Sequence, residues 1–164
     1  MEKLSSSTSQ TRKIGKKLAA NLSGGEIILL SGPLGAGKTI LAKGIAQGLK
    51  IDKDDVNSPT FVLLKVHKGK FFLQHFDLYR IKDPQDIFAL GYEEYFYPAE
   101  YIGRQGYCDA VNIIEWPERL KFLLPKEFLR IKLILKNKNK RLLKFSAKGK
   151  PYRKILENME KDKK

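Results

Sequence analysis

The chain has 164 residues, 42% hydrophobic and 30% charged, a size and balance that suit one globular domain with a real core rather than two. It holds no apolar run of about 18 residues, so no transmembrane helix is expected. The polar, basic start MEKLSSSTSQTRKIGKKLAANL does not read as a secretory signal, and a single cysteine, Cys108, rules out an internal disulfide and fits a reducing cytoplasm.

The net charge is +14, and its position matters more than its size. Residues 1–118 carry 15 Lys and Arg against 14 Asp and Glu, whereas residues 119–164 carry 17 against 4. Such an asymmetry suits a polyanion or an acidic partner, and it equally suits a lysine-rich hairpin and tail in solvent.

In chain order, Ser5–Ser9 is a polar cluster fit to cap a helix, and Ile14, Leu18 and Leu22 then recur at helical spacing. Ser23-Gly24-Gly25 ends that helix. EIILLS, Glu26 to Ser31, is a short apolar run of buried-strand type, and a glycine-rich turn leads into a second helix over Thr39–Leu49. Asn57-Ser58-Pro59-Thr60 breaks the chain. Phe61–Val66 and Lys70–Phe76 read as two strands joined at Lys68-Gly69. Pro84–Leu90 reads as a short helix stopped by Gly91, and Tyr92–Cys108 as an aromatic-rich loop. Val111–Ile114 is another buried strand. Phe128–Leu135 and Arg141–Ser146 alternate apolar and basic residues around Asn137-Lys138-Asn139, the pattern of a hairpin with one wet face. Pro151–Met159 reads as a last short helix, within a basic stretch from about 150 to 164 that is expected to fray.

Gly32-Pro33-Leu34-Gly35-Ala36-Gly37-Lys38-Thr39 satisfies G-x-x-x-x-G-K-[ST] without exception. A triphosphate needs many donors close together, and backbone N–H groups supply them only where side chains do not intrude. Glycines permit that approach, and the following helix aims its positive end at the phosphates. Lys38 adds a point charge over the β- and γ-phosphates, and the Thr39 hydroxyl is a ligand for Mg²⁺. A buried strand before the turn and a helix after it are the context that the motif demands. The fold class that follows is α/β, a single P-loop NTPase-like domain. Its sheet is expected to be mixed but largely parallel, flanked by helices, with a C-terminal antiparallel hairpin.

Two apolar runs end in carboxylates, Phe71–Phe76 at Asp77 and Val111–Ile114 at Glu115. In a parallel sheet both reach the edge that carries the glycine-rich turn. There Asp77 suits Mg²⁺, and Glu115 suits activation of water or a share of the metal. Capping of a neighbouring helix is the plainer role for each. Ser58-Pro59-Thr60 lies where NTPases place a switch that senses the γ-phosphate, although Ser-Pro is also a common turn. Trp116 suits stacking near the nucleotide or simple core packing. His67 and His75 lack metal spacing and are assigned structural roles.

In order, Thr11-x-x-Ile14-Gly15, LSGPLGAGKT, NSPTFVL, HFDLYR with Asp83-Pro84, GYEEYF and IIEWPERL resemble the TsaE (YjeE) family over about residues 8–124. The resemblance implies a compact P-loop domain with weak intrinsic ATPase activity on Mg-ATP. It implies partners TsaD and TsaB, in a complex that installs threonylcarbamoyl on tRNA adenosine, with the ATPase resetting the complex between cycles. By position, Lys38 and Thr39 serve phosphates and metal, Asp77 and Glu115 serve Mg²⁺ and hydrolysis, and Thr60 serves the switch. Thr11 lies near the nucleotide base and Trp116 beside the nucleotide. Pro33, Leu34, Gly35, Ala36, Gly37 and Ile40 complete the binding set. Pro33 replaces the family's usual Asp, Ile40 its usual Thr, and Tyr97–Asp109 is longer than the family's short turn.

A stand-alone small-molecule kinase would share the cradle, but Arg80 and Arg104 are the only arginines between the P-loop and Glu115, too few for an evident lid. A GTPase signature N-K-x-D fails at Asn137-Lys138-Asn139-Lys140. The basic C-terminal region leaves contact with tRNA open.

Overall fold

The first strand was not legible in the sequence. Glu2–Ser5 forms β1, an edge strand whose residues alternate between exposed and less exposed positions. Helix α1 (Thr8–Ala19) follows at once. Ser7 is its N-cap, in extended backbone, with its hydroxyl accepting from the Gln10 N–H at 3.0 Å. The Gln10 side chain in turn accepts from the Ser6 N–H at 2.7 Å, so orphan donors of the first turn are met from the polar cluster. The helix buries Thr11, Gly15, Leu18 and Ala19, one stripe at helical spacing. It ends before Leu22, which is buried in the turn that follows.

Strand β2 (Ile27–Ser31) is buried at every position, and α2 (Lys38–Gly48) starts directly from the glycine-rich turn. Strands β3 (Leu64–Lys68) and β4 (Phe72–Asp77) come next, with their connection at Gly69–Phe71 rather than Lys68-Gly69. A single helical turn, α3 (Gln85–Phe88), opens after Pro84. Then come β5 (Val111–Glu115), β6 (Phe128–Leu135), β7 (Arg141–Lys148) and α4 (Lys150–Lys161). The structure, a computed structural model, describes residues 1–52, 54–56, 59, 63–89, 91, 95–96 and 109–161. Ser58 and Thr60 of the expected switch, and the segment Tyr97–Cys108, lie outside them.

The seven strands form one sheet in the order β1-β7-β6-β2-β5-β4-β3. The central four, β6, β2, β5 and β4, are mutually parallel, and antiparallel partners close both sides: β3 on β4, and β7 then β1 on β6. The apolar runs of β2 and β5 are explained by this place, because helices or loops cover both faces of the parallel centre. On one face Ile28, Leu30, Val111 and Ile113 meet α1, α2 and α4 through Leu18, Leu41, Ile45 and Met159. On the other, Ile27, Leu29 and Ile114 meet Phe76, Leu78, Ile87 and Leu120. Truncating one of the fully buried residues, such as Leu30 or Ile45, costs about 2–5 kcal/mol on the usual scale for such sites.

Helices α1 and α2 pack backbone to backbone. A Cβ on Gly15 would lie 2.5 Å from the Leu41 carbonyl oxygen, and one on Gly44 would collide with the Arg12 backbone. Helix α4 is docked rather than frayed. Tyr152, Ile155 and Met159 are buried, and the Tyr152 hydroxyl accepts the Ile27 N–H at 2.9 Å, which ties this helix to the start of β2.

The hairpin has a dry face of Leu129, Ile131, Leu133, Leu143 and Phe145 and a wet face carrying Lys132, Lys144 and Lys148, as its alternation requires. Two residues depart from the expected pattern. Leu135, the last residue of β6, is 39% exposed, and Arg141, its partner across the hairpin, is buried on the dry face.

Candidate nucleotide site

Register brings the chemistry together. Strand β5 lies between β2 and β4, with Glu115 opposite Leu30 on one side and opposite Asp77 on the other. The two carboxylates therefore sit side by side at the carboxyl edge, next to the turn that leaves β2. Both are buried, at 3% and 2% exposure.

The turn itself is a cradle. Gly37 holds φ 98°, in the left-handed region, and caps α2 without any side-chain hydrogen bond. The N–H groups of the helix start are thus left for an anion. Lys38 folds back over the loop, its Nζ donating to the carbonyls of Gly32 at 2.9 Å and Pro33 at 3.0 Å. The same ammonium lies 4.0 Å from the centroid of the Trp116 ring, a cation–π contact. Burial pushes its pKa below the ordinary lysine value, while Glu115, Asp77 and Glu118 pull the other way. Trp116 adopts φ 60°, uncommon for an aromatic residue, and is followed by Pro117. Its ring also meets Tyr79, with centroids 5.0 Å apart.

The Thr39 hydroxyl donates to Glu115 Oε1 at 3.0 Å. His75 Nε2 lies 2.9 Å from that same oxygen. Asp77 Oδ1 accepts the Tyr79 N–H at 3.0 Å.

Between these groups lies a cavity of about 360 Å³. Of the residues expected to bind or act, Leu34, Gly35, Gly37, Lys38, Thr39, Ile40, Asp77, Glu115 and Trp116 line it. Pro33 lines a neighbouring cleft with Arg119 and Lys132, and Ala36 is fully buried beneath the loop. Thr11 is wholly buried, its hydroxyl bonded to Ser5 Oγ at 2.8 Å and to the Ser7 carbonyl at 3.1 Å. Thr60 is outside the described residues.

Sequence reasoning missed three contributors. Tyr79 lines the cavity, His75 holds Glu115, and Arg141 packs against Gly37. Two of them carried a signal: His75 shares the strand face of Asp77 by the two-residue period, and Arg141 shares that of Leu143 and Phe145.

The donor set suits Mg²⁺, since a hydroxyl and two carboxylates offer only hard oxygen ligands. Among the described residues no group of three or more His, Cys, Asp or Glu side chains could hold a metal by itself.

A profile of the family described as Threonylcarbamoyl adenosine biosynthesis protein TsaE matches residues 5–143. The chain belongs to the TsaE family. It is similar to proteins named tRNA threonylcarbamoyladenosine biosynthesis protein TsaE from Rickettsia felis, at 37% identity over 81% of this chain and 72% of that one, and from Bacillus subtilis, at 36% over 92% and 87%. Its fold matches the crystal structure of Bacillus subtilis YdiB with a TM-score of 0.79 at 30% identity, covering 100% of this chain and 96% of that one. The TsaE match runs through β6 and the start of β7, so it takes in Arg141 as well as the cradle.

Proposed function

We propose that this TsaE-family chain binds Mg-ATP in the cradle and hydrolyses it to support threonylcarbamoyladenosine formation on tRNA, in the cytoplasm, together with TsaD and TsaB. The observation that carries the reading is the convergence of Lys38, Thr39, Asp77 and Glu115 on one cavity at the carboxyl edge of the sheet. A binding module alone would not need two buried carboxylates beside a phosphate loop.

The residues divide the work as follows. The loop N–H groups and the start of α2 hold the phosphates by charge and close approach. Lys38 is stored over the Gly32 and Pro33 carbonyls and exchanges those acceptors for phosphate oxygens. Thr39 and Asp77 are the groups that would hold Mg²⁺, which when bound offsets phosphate charge. Glu115, fixed by His75, orients and deprotonates the attacking water once Thr39 releases it. Trp116 and Tyr79 wall the site and limit access of other water.

The exposed lysines of the β6–β7 turn, Lys136, Lys138 and Lys140, present the basic excess to tRNA within the complex. Among the described residues no helix is long and apolar enough to cross a membrane. ATP turnover by the purified chain, alone and with TsaB and TsaD, tests the whole reading. Stimulation by the partners, lost in Lys38→Ala, is the expected result. Equal turnover with and without them would point to a separate NTPase or a kinase.

A further inference from the structure

One buried cation is not used by the phosphate-loop motif. Arg141, the first residue of β7, is 4% exposed. Its Nη1 donates to Thr11 Oγ1 at 3.2 Å, and its Nε is buried without a hydrogen-bond partner. Among the described residues no carboxylate pairs with it. A guanidinium withdrawn from water without a counter-charge is costly, and a fold keeps one only where something offsets it.

What lies beside it is the cradle. A Cβ built on Gly37 would stand 3.0 Å from Arg141 Nη1 and 3.5 Å from its Cδ and Cζ. Arg141 therefore fills the space that a side chain at position 37 would take, behind the left-handed glycine whose loop offers its N–H groups to phosphate. Its own orientation is fixed from the other side. Thr11 on α1 is bonded to Ser5 on β1, and β1 pairs with β7, Ser5 opposite Arg141. Thr11 thus reaches the phosphate loop through Arg141 and not by lining the cavity.

We propose that Arg141 is a fixed cation behind the phosphate loop, a positioning residue that holds Gly37 in place and adds positive potential whose value grows with the charge of the bound nucleoside polyphosphate. This rests on the Mg-ATP reading above and deepens it. A purely mechanical brace depends on the shape of the arginine and is lost in a lysine variant as in a neutral one, whereas a charge survives in lysine and helps most where the phosphate chain is longest.

The experiment is a ladder of dissociation constants for AMP, ADP, ATP and inorganic tripolyphosphate, measured by calorimetry on the full chain in EDTA and repeated with Mg²⁺. Arg141→Met is expected to weaken ATP and tripolyphosphate by roughly tenfold, equivalent to about 1.4 kcal/mol, ADP by less and AMP least. Arg141→Lys, which keeps the charge, is expected to restore most of the ATP affinity. Equal weakening along the ladder, or unchanged ATP affinity in Arg141→Met, overturns the assignment. Should Arg141→Met fail to fold, Arg141→Gln is read on the same ladder with the same two outcomes. A wild-type chain that binds no nucleotide defeats the Mg-ATP reading itself, whereas a binding wild type with a flat ladder defeats only the role of Arg141.

Discussion

The Thr39 hydroxyl donates to Glu115 Oε1 across 3.0 Å, so a candidate metal ligand and a candidate base restrain one another. On the proposed Mg-ATP reading, nucleotide and metal must break this bond to use either group. Glu115→Ala is therefore expected to leave ATP affinity within about threefold of wild type and to lower turnover by roughly a hundredfold or more, the usual worth of a general base. Binding calorimetry beside steady-state phosphate release checks it. Wild-type turnover would reassign Glu115 to a structural role.

His75 approaches the same carboxylate oxygen at 2.9 Å and is fully buried. Its expected role is to hold Glu115 in one rotamer. His75→Ala should lower kcat by about tenfold while KM for ATP stays near its original value, because the side chain acts through Glu115. A change in KM alone would show that the histidine shapes the cradle instead.

Burial lowers the Lys38 pKa, so its charge works against folding of the free chain. Below the folded-state pKa the ammonium is charged in both states and its burial cost is fully present. The cost is relieved as pH rises through that lowered value toward the ordinary 10.5. Ligand-free wild type is thus expected to gain stability relative to Lys38→Met as pH rises into the alkaline range, even though the variant loses tight ATP binding. Denaturant melts of both proteins across that range give the difference directly, and a gap that widens in favour of Lys38→Met would contradict it.

Gly44 sits in α2, where helix propensity alone favours alanine by about 1 kcal/mol. Its Cβ would run into the Arg12 backbone on α1, however, and backbone cannot rotate aside. Gly44→Ala is expected to destabilise the fold by about 1–3 kcal/mol, the usual cost of overpacking. Urea unfolding measures it, and a stabilised variant would mean that the two helices separate easily.

Lys136, Lys138 and Lys140 are exposed in the β6–β7 turn, whereas Arg141 beside them is buried. Charge reversal at the three lysines together is expected to weaken binding to the tRNA-loaded partner complex. It should also flatten the dependence on salt by about 0.7–0.9 per lost phosphate contact. Unchanged affinity and salt slope would place the RNA elsewhere.

The sequence by itself determined the cradle and the strands that feed it. Glycines at 32, 35 and 37, the lysine and threonine after them, and the unbroken apolar runs before Asp77 and Glu115 are local signals, each readable within a few residues. The hairpin was equally legible, because alternation has a period of two whatever surrounds it. Only the tertiary structure decided what those elements meet. Strand β1 is short and polar, and it exists because Glu2–Ser5 finds the open edge of β7 about 140 residues later. Glu115 meets His75 because β5 enters between β2 and β4, an order that no local pattern states. Arg141 follows Lys136, Lys138 and Lys140 in one basic run, yet its face of the strand is the dry one, and Thr11 and Gly37 close over it there. Local propensity acts over one turn or one strand, whereas strand order and register are fixed by which apolar faces can be buried together. The pairs of charges that make this site come from the second and not the first.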